Sequence, residues 1–504
     1  MADVIEFQRI GDLAARHARD RPQAPAVTVG GRTLSWAALH DRAARVAASL
    51  QRDGLDPGQA IAIVAAAHVD YVALYLGALM AGVAVAPMPP SATPAQLEAM
   101  VADSGAPLLF LDDDNAAALA EAAFAARIVR LEALSDWLAA GPPRPLALPD
   151  EQLLGMPFNI IYSSGTTGVP KGIIHSWRMR WAHLAGGVPV GYGPDCVTLL
   201  ATPLYSNTTL VSALPCLAWG GHLVLMPKFD ARGFLALAEQ VRATHSMLVP
   251  VQYRRIMDLP DFDRFDLSSY RMKFATSAPF DAALKAEVLK RWPGGLIEYW
   301  GMTEGGGGTV LVAHANPDKL HTVGHPIPGH EILLVDGEGR EVGVGEVGEI
   351  VGFSGATMSG YANRPEATRA TQWVHPDGRI FIRTGDLARR DADGFIELVG
   401  RAKDMIISGG FNIYPVDLEQ VLGQHPDVGD CAVVGVPSRA WGETPVAFVV
   451  APGADADTLK AWANARLGKV QRLAAVVLVD ELPRSAIGKV LKRDLREGWR
   501  GDVG

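Results

Sequence analysis

The sequence predicts an α/β protein. A large N-terminal domain of parallel-type sheets with helices carries a β-rich, barrel-like section, and a small α+β C-terminal domain follows. Three observations predict this. Strand-length apolar runs alternate with helix-period segments, first up to about Gly155 and again to about Trp300. From Glu331 to Val399 the pattern changes to short β-like runs broken by Gly and Asp turns. Beyond Arg401, helix and strand patterns alternate over about a hundred residues, an ordinary domain size. The domains are therefore placed at 1–400 and 401–504.

In chain order, Ser35 caps a helix whose apolar positions Leu39, Ala43, Val46, Ala47 and Leu50 share a face, ending near Gly54. Ile61–Val64 reads as a buried strand, Val69–Ala81 as a helix stopped by Gly82, and Val83–Ala86 as the next strand. Such a β-α-β unit implies parallel pairing with a right-handed crossover. Leu108–Leu111 continues the pattern, and Gly141-Pro-Pro-Arg-Pro145 is a surface connection. In the second run the strands are Val197–Ala201, Leu223–Met226, Met247–Val249, Lys273–Thr276 and Leu296–Trp300. Glu331–Val335, Glu349–Phe353 and Phe395–Val399 form the β-rich section. The last domain reads as a helix at Pro415–Leu422, strands at Cys431–Val436 and Val446–Val450, a helix at Asp457–Leu467 and a strand at Ala474–Val479.

With 46 basic and 55 acidic side chains the net charge is −9, which gives no electrostatic footprint for nucleic acid. The N-terminus carries acid where a signal peptide carries base, and no stretch has the length of a membrane span. Cys196, Cys216 and Cys431 are far apart and lack metal spacing, which fits a reducing compartment. A soluble, cytoplasmic protein is expected, and a homodimer is compatible with this reading.

The segment Tyr162-Ser-Ser-Gly-Thr-Thr-Gly-Val-Pro-Lys-Gly172 carries the chemistry. Backbone N–H groups freed by Gly165 and Gly168, the hydroxyls of Ser163, Ser164, Thr166 and Thr167, and the charge of Lys171 are what a polyphosphate requires. The spacing does not fit G-x-x-x-x-G-K-[ST], because Gly172 follows the lysine. In Tyr299-x-Gly301-x-Thr303-Glu304, Glu304 is a candidate for Mg²⁺ beside phosphate oxygens, Thr303 a donor to the α-phosphate and Tyr299 a face for adenine. In Arg383-Thr-Gly-Asp-Leu387, Asp386 offers an acceptor pair for vicinal ribose hydroxyls.

These strings resemble the motifs of the adenylate-forming superfamily, which holds acyl-CoA synthetases, peptide-synthetase adenylation domains and luciferases. The resemblance runs from Ser163 to Lys489 in matching order and points to the acyl-CoA synthetase and aryl-CoA ligase branch. It implies that Thr276-Ser277-Ala278-Pro279 packs along adenine and that Arg401 contacts ribose. It implies that Gly409 and Gly410 line a pantetheine channel and that Lys403 is the hinge between domains. In Pro483-x-x-x-x-Gly-Lys489 the lysine would bridge the substrate carboxylate and the α-phosphate. Trp441 matches a tryptophan that contacts the CoA adenine in some aryl-CoA ligases, and reads equally well as a core aromatic.

The acid pocket departs from the family pattern. In Thr202-Pro-Leu-Tyr-Ser-Asn207, Ser206 stands where many relatives carry a gating His, and Tyr205 is left to take part of that role. Gly305 and Gly306 either leave room for a bulky acid or serve only the backbone of their loop. The reading is an ATP-dependent acid–thiol ligase using Mg²⁺ and CoA on a hydrophobic fatty or aryl acid. Two alternatives are an adenylation enzyme loading a carrier-protein phosphopantetheine, and a nucleotide-binding scaffold without catalysis.

Overall fold

The computed structural model describes residues 5–163, 170–409, 411–485 and 488–501, with the backbone alone at Ser163. Packing divides the chain into two units. The first holds Met1–Leu320, Pro326–Glu331 and Phe353–Ile382; the second holds His321–His325, Ile332–Gly352 and Arg383–Gly504. This division differs from the one expected at 400/401, because much of the β-rich section groups with the C-terminal residues.

The first unit is built on two sheets. One runs in the order His325–Pro326, Gly308–Val312, Gly295–Gly301, Met272–Ala275, His245–Leu248, Val197–Leu200, His222–Leu225, Pro25–Val29, Arg32–Ser35. Its pairs from Gly295–Gly301 through to Pro25–Val29 are parallel; Gly308–Val312 pairs antiparallel with Gly295–Gly301, and Arg32–Ser35 with Pro25–Val29, each as a hairpin. The other runs Gly360–Tyr361, Lys171–Ser176, Pro157–Ser163, Ala84–Pro87, Ala60–Val64, Leu108–Leu111, Arg127–Arg130. Its pairs from Pro157–Ser163 through to Arg127–Arg130 are parallel, as the β-α-β reading requires, and both pairs made by Lys171–Ser176 are antiparallel.

One apolar core joins residues of both sheets, including Ile61, Val85 and Phe110 from one and Leu200, Leu223 and Phe274 from the other. The helices Trp36–Arg52, Val69–Met80 and Asn207–Ala218 contribute to it. Ser35 accepts from Ala38 N, so the expected cap is present. Val69–Met80 is buried on all sides except at Met80. It approaches Trp36–Arg52 at Gly77, where a Cβ would lie 2.5 Å from the Ala43 carbonyl oxygen; only glycine permits that approach.

The second unit contains the sheet Phe411–Ile413, Ile406–Ser408, Gly442–Val450, Asp430–Ser438, with Ala475–Leu478 parallel to Gly442–Val450. Alternate side chains of the central strands enter two small cores. Val433, Ala447 and Val449 pack with Leu418, Leu422 and Leu459; Ala432, Val434, Val446 and Phe448 pack with Leu482 and Leu495. The long strand Ile380–Arg390 gives its first residues to the first unit, paired with Gln372–Val374, and the rest to the second, paired with Ile396–Arg401. Among the described residues no helix is long and apolar enough to cross a membrane.

Candidate active site

Ligands of open α/β sheets bind beyond the carboxyl ends of the strands, where the strand order reverses. In the first sheet the chain leaves Val197–Leu200 for His222–Leu225 on one side and returns to His245–Leu248 on the other. The stretches Thr202–Thr209, Thr276–Pro279 and Met302–Gly306 all follow carboxyl ends of this sheet. Ser277 Oγ and Thr208 Oγ1 join two of them at 2.6 Å. Ser277 has φ +80°, an uncommon conformation for a residue with a side chain and one that clusters at ligand sites. Ala278 is half-buried and Pro279 exposed. Tyr299 lies half-buried on the neighbouring strand, its ring 6.1 Å from that of Phe274, and burial pushes its hydroxyl up to about 12. Gly301 ends that strand, exposed, opposite Gly308.

The expected phosphate loop joins two antiparallel strands, closed by the pair Ser163↔Lys171. Ser164, Gly165, Thr166, Thr167 and Gly168 lie outside the described residues. Lys171 is half-buried, with Nζ 5.1 Å from the centre of the Tyr361 ring, within the range of a cation–π contact. The Tyr361 hydroxyl donates to Glu304 Oε1 at 2.8 Å. One aromatic side chain thus links the loop lysine to the candidate metal-binding carboxylate. Met358 N donates to the Glu304 carbonyl at 2.9 Å, and Ala362 N to the Gly172 carbonyl at 2.7 Å, so the Tyr361 segment is tied on both sides.

Tyr205 is half-buried, and burial raises its hydroxyl above the usual range. Ser206 is buried and caps the helix Asn207–Ala218 by accepting from Thr208 N at 3.3 Å. That cap explains a serine at this position. Gly305 and Gly306 have φ +71° and +90°, and a Cβ on Gly305 would overlap the Ala356 carbonyl oxygen. Of the two roles open for Gly305, the backbone one has a direct physical cause.

In the second unit, Asp386 and Arg401 are cross-strand partners, joined by Arg401 Nε to Asp386 Oδ1 at 2.8 Å. Lys403 lies in the short 3₁₀ turn Ala402–Asp404. Lys489 is close enough to feel Arg401, Asp386, Lys403 and Asp404. The residue is exposed as a whole, yet crowding withdraws water from its amine and, with help from Arg401, pulls it down to about 8. Four expected site residues therefore form one charged cluster. Gly409, at φ +57°, donates its N–H to the Trp441 carbonyl at 2.8 Å, and a Cβ there would stand 2.8 Å from the Trp441 ring. Trp441 is 59 % exposed, so it is not a core aromatic. Gly410 lies outside the described residues.

Residues 14–362 match the family model described as AMP-binding enzyme. The chain belongs to the AMP-binding enzymes. Residues 417–489 match the family's C-terminal domain. Among relatives of this AMP-binding enzyme is a protein named feruloyl-CoA synthase from Amycolatopsis, 36 % identical over 97 % of this chain and 99 % of its own. A fatty acid–[acyl-carrier-protein] ligase from Streptomyces coeruleorubidus is 31 % identical over 99 % and 98 %. The solved structure of ATP-bound MatB from Rhodopseudomonas palustris superposes with a TM-score of 0.86 at 30 % identity, covering 97 % of this chain and 98 % of that one.

Sequence reasoning about this AMP-binding enzyme missed Tyr361. A lone tyrosine 57 residues beyond Glu304 carries no spacing signal; only the pairing of Gly360–Tyr361 with Lys171–Ser176 brings it to the site. Among the described residues no three His, Cys, Asp or Glu side chains cluster as a metal cage. A single carboxylate, steadied on one oxygen by Tyr361, suits Mg²⁺, which is held by one or two carboxylates and completed by phosphate oxygens and water.

Proposed function

We propose that this AMP-binding enzyme is an ATP-dependent acid–CoA ligase acting on a hydrophobic aryl or fatty acid. In the first step a carboxylate oxygen of the acid attacks the α-phosphorus of ATP. A new O–P bond forms, the α–β bridging P–O bond breaks, and pyrophosphate leaves. In the second step the CoA sulfur attacks the acyl carbon, AMP leaves, and the thiol proton passes to solvent.

The arrangement Lys171–Tyr361–Glu304 carries this reading. It joins a cation at the end of a Gly/Ser/Thr loop to a carboxylate, as a nucleotide triphosphate site requires. Glu304 would hold Mg²⁺, which neutralises phosphate charge when bound. Thr303 donates to the α-phosphate, and Tyr299 with Ser277, Ala278 and Pro279 borders adenine. Asp386 accepts from the ribose hydroxyls with Arg401 beside it. Lys489 offsets the repulsion between carboxylate and phosphate in the transition state. Gly409, Gly410 and Trp441 receive CoA, and the chain pivots near Lys403 between the two steps.

A second reading keeps adenylation and replaces CoA by a carrier-protein phosphopantetheine. Ile407, Phe411 and Trp441, all exposed around Gly409, favour it, since large apolar side chains at a surface mark interaction sites; so does the relationship to a carrier-protein ligase. Pyrophosphate release from ATP with a panel of aryl and fatty acids, followed by thioester assays with CoA or a phosphopantetheinylated carrier, tests both. Release with the acids and thioester with CoA support the first reading. Thioester on the carrier alone supports the second, and no release with any acid removes both.

A further inference from the structure

Beneath the Thr303–Glu304 corner runs a buried line of polar side chains. Arg180, on the helix Trp177–Ala185, is fully buried and donates from Nε to Asn159 Oδ1 at 2.6 Å. Asn159, also fully buried, stands opposite His175 in the strand pairing. With its oxygen engaged by Arg180, its amide nitrogen faces His175 Nδ1 at 3.3 Å, so Nδ1 accepts. His175 Nε2 lies 2.7 Å from the Thr303 carbonyl oxygen, which can only accept, so Nε2 carries the proton. The two contacts define a neutral Nε2–H tautomer without further assumption. Burial, then the charge of Arg180, holds the imidazole well below its usual range, in agreement.

All the N–H groups along this line point one way, from a buried cation to the Thr303 carbonyl. Aligned hydrogen bonds in a low-dielectric interior polarise one another. The peptide unit is planar and trans, so fixing the Thr303 carbonyl also fixes the direction of the Glu304 N–H. The next carbonyl, that of Glu304, is held by Met358 N at 2.9 Å. Both peptide planes around the Glu304 Cα are therefore tied, and the direction of its side chain follows. Burial of an arginine is costly, and here Nη1 and Nη2 have no hydrogen-bond partner among the described residues. A fold that needed only packing at this place would be served by an apolar side chain.

We propose that Arg180, Asn159 and His175 are positioning residues for adenylation, a one-way hydrogen-bond chain that holds Thr303 and Glu304 in their working orientation. This rests on the reading of Thr303 and Glu304 given under Proposed function. The test compares His175→Leu, His175→Gln and Glu304→Gln for melting temperature, pyrophosphate release as a function of Mg²⁺ and of acid, and thioester formation from preformed acyl-adenylate. His175→Leu lowers kcat for pyrophosphate release about 10- to 100-fold, as loss of an outer support to a metal ligand does. It also raises the Mg²⁺ concentration for half-maximal rate and leaves KM for the acid and the thioester step near wild type. The amide of His175→Gln supplies an N–H near the position of Nε2 and restores most of the rate. Wild-type kcat and Mg²⁺ dependence in His175→Leu, or equal loss of both steps, overturns the proposal. Should His175→Leu not fold, His175→Phe takes its place, because a ring of similar size has no N–H to give the Thr303 carbonyl. The same loss of kcat is then expected, and wild-type behaviour overturns the chain. Glu304→Gln separates the two ideas. If it is inactive while His175→Leu is not, only the chain fails; if it turns over like wild type, the site reading itself fails.

Discussion

Tyr361 donates its hydroxyl proton to Glu304 Oε1 across 2.8 Å, and no motif in the sequence announces the pair. The carboxylate in turn pushes the Tyr361 hydroxyl upward, after burial, so the tyrosine stays a donor through the physiological range. Hydrogen bonds to charged groups contribute about 1.5–3 kcal/mol. Tyr361→Phe is expected to lower pyrophosphate release about 10- to 100-fold and to shift the Mg²⁺ dependence, with little change in melting temperature. Turnover like wild type at low Mg²⁺ would show that Glu304 needs no such support.

Lys489 gives a pH signature. Its amine is held near 8, and the role proposed for it needs the charged form. The charge is present below that value and lost as pH rises through it, so adenylation should show an alkaline limb near 8. Lys489→Arg, which stays protonated, should move the limb upward. Lys489→Ala should lose adenylation about 10²- to 10³-fold, as when one transition-state charge contact goes. The same variant should still convert preformed acyl-adenylate to thioester. A limb that stays near 8 in Lys489→Arg assigns the titration to another group.

Trp441 tests the acceptor side. Exposed substitutions away from packed features change stability by about 0.5 kcal/mol or less, and Trp441 is 59 % exposed. Trp441→Ala should keep its melting temperature and its adenylation rate while the KM for CoA rises. An unchanged KM for CoA would leave the tryptophan to a carrier protein or to no ligand.

Gly305→Ala asks whether the glycine run shapes the pocket or the backbone. A side chain at φ +71° against the Ala356 carbonyl is strained by about 1–3 kcal/mol. Stability and turnover should fall alike for every acid in a panel. Loss confined to bulky acids would mean that Gly305 provides room for the substrate.

Most strands of the two parallel runs were legible, because buried apolar runs of strand length carry their own signal; the helices Ile10–Asp20 and Pro94–Ser104 and the strands Lys171–Ser176, Gly308–Val312 and Ile380–Arg390 were not. Ser35 announced its helix by a hydroxyl at the right offset, and Val69–Met80 by its length and its glycine stop. The N-terminal hairpin Pro25–Ser35 was not legible. It pairs with His222–Leu225, nearly two hundred residues away, and no local pattern encodes that partner. Candidate site residues were readable where they stand inside strings such as Thr303-Glu304 or Gly385-Asp386. Tyr361, Asn159 and Arg180 stand outside such strings, and the fold alone brings them to the corner. Ser206 was read as an absent histidine; its hydroxyl caps a helix, a local reason that the comparison with relatives conceals.

Lys171 and His175 sit four residues apart on one strand, so both project from the same face of the hairpin. One reaches Tyr361 and the other the Thr303 carbonyl. Pairing of this strand with Pro157–Ser163 sets both at once, and a shift by a single residue would turn both to the opposite face. The proposed phosphate loop's lysine and the anchor of the acidic corner are thus one heritable block. Transplanting residues 163–171 into another sheet would carry the charge and leave its alignment behind; a graft that works must extend to Ser176.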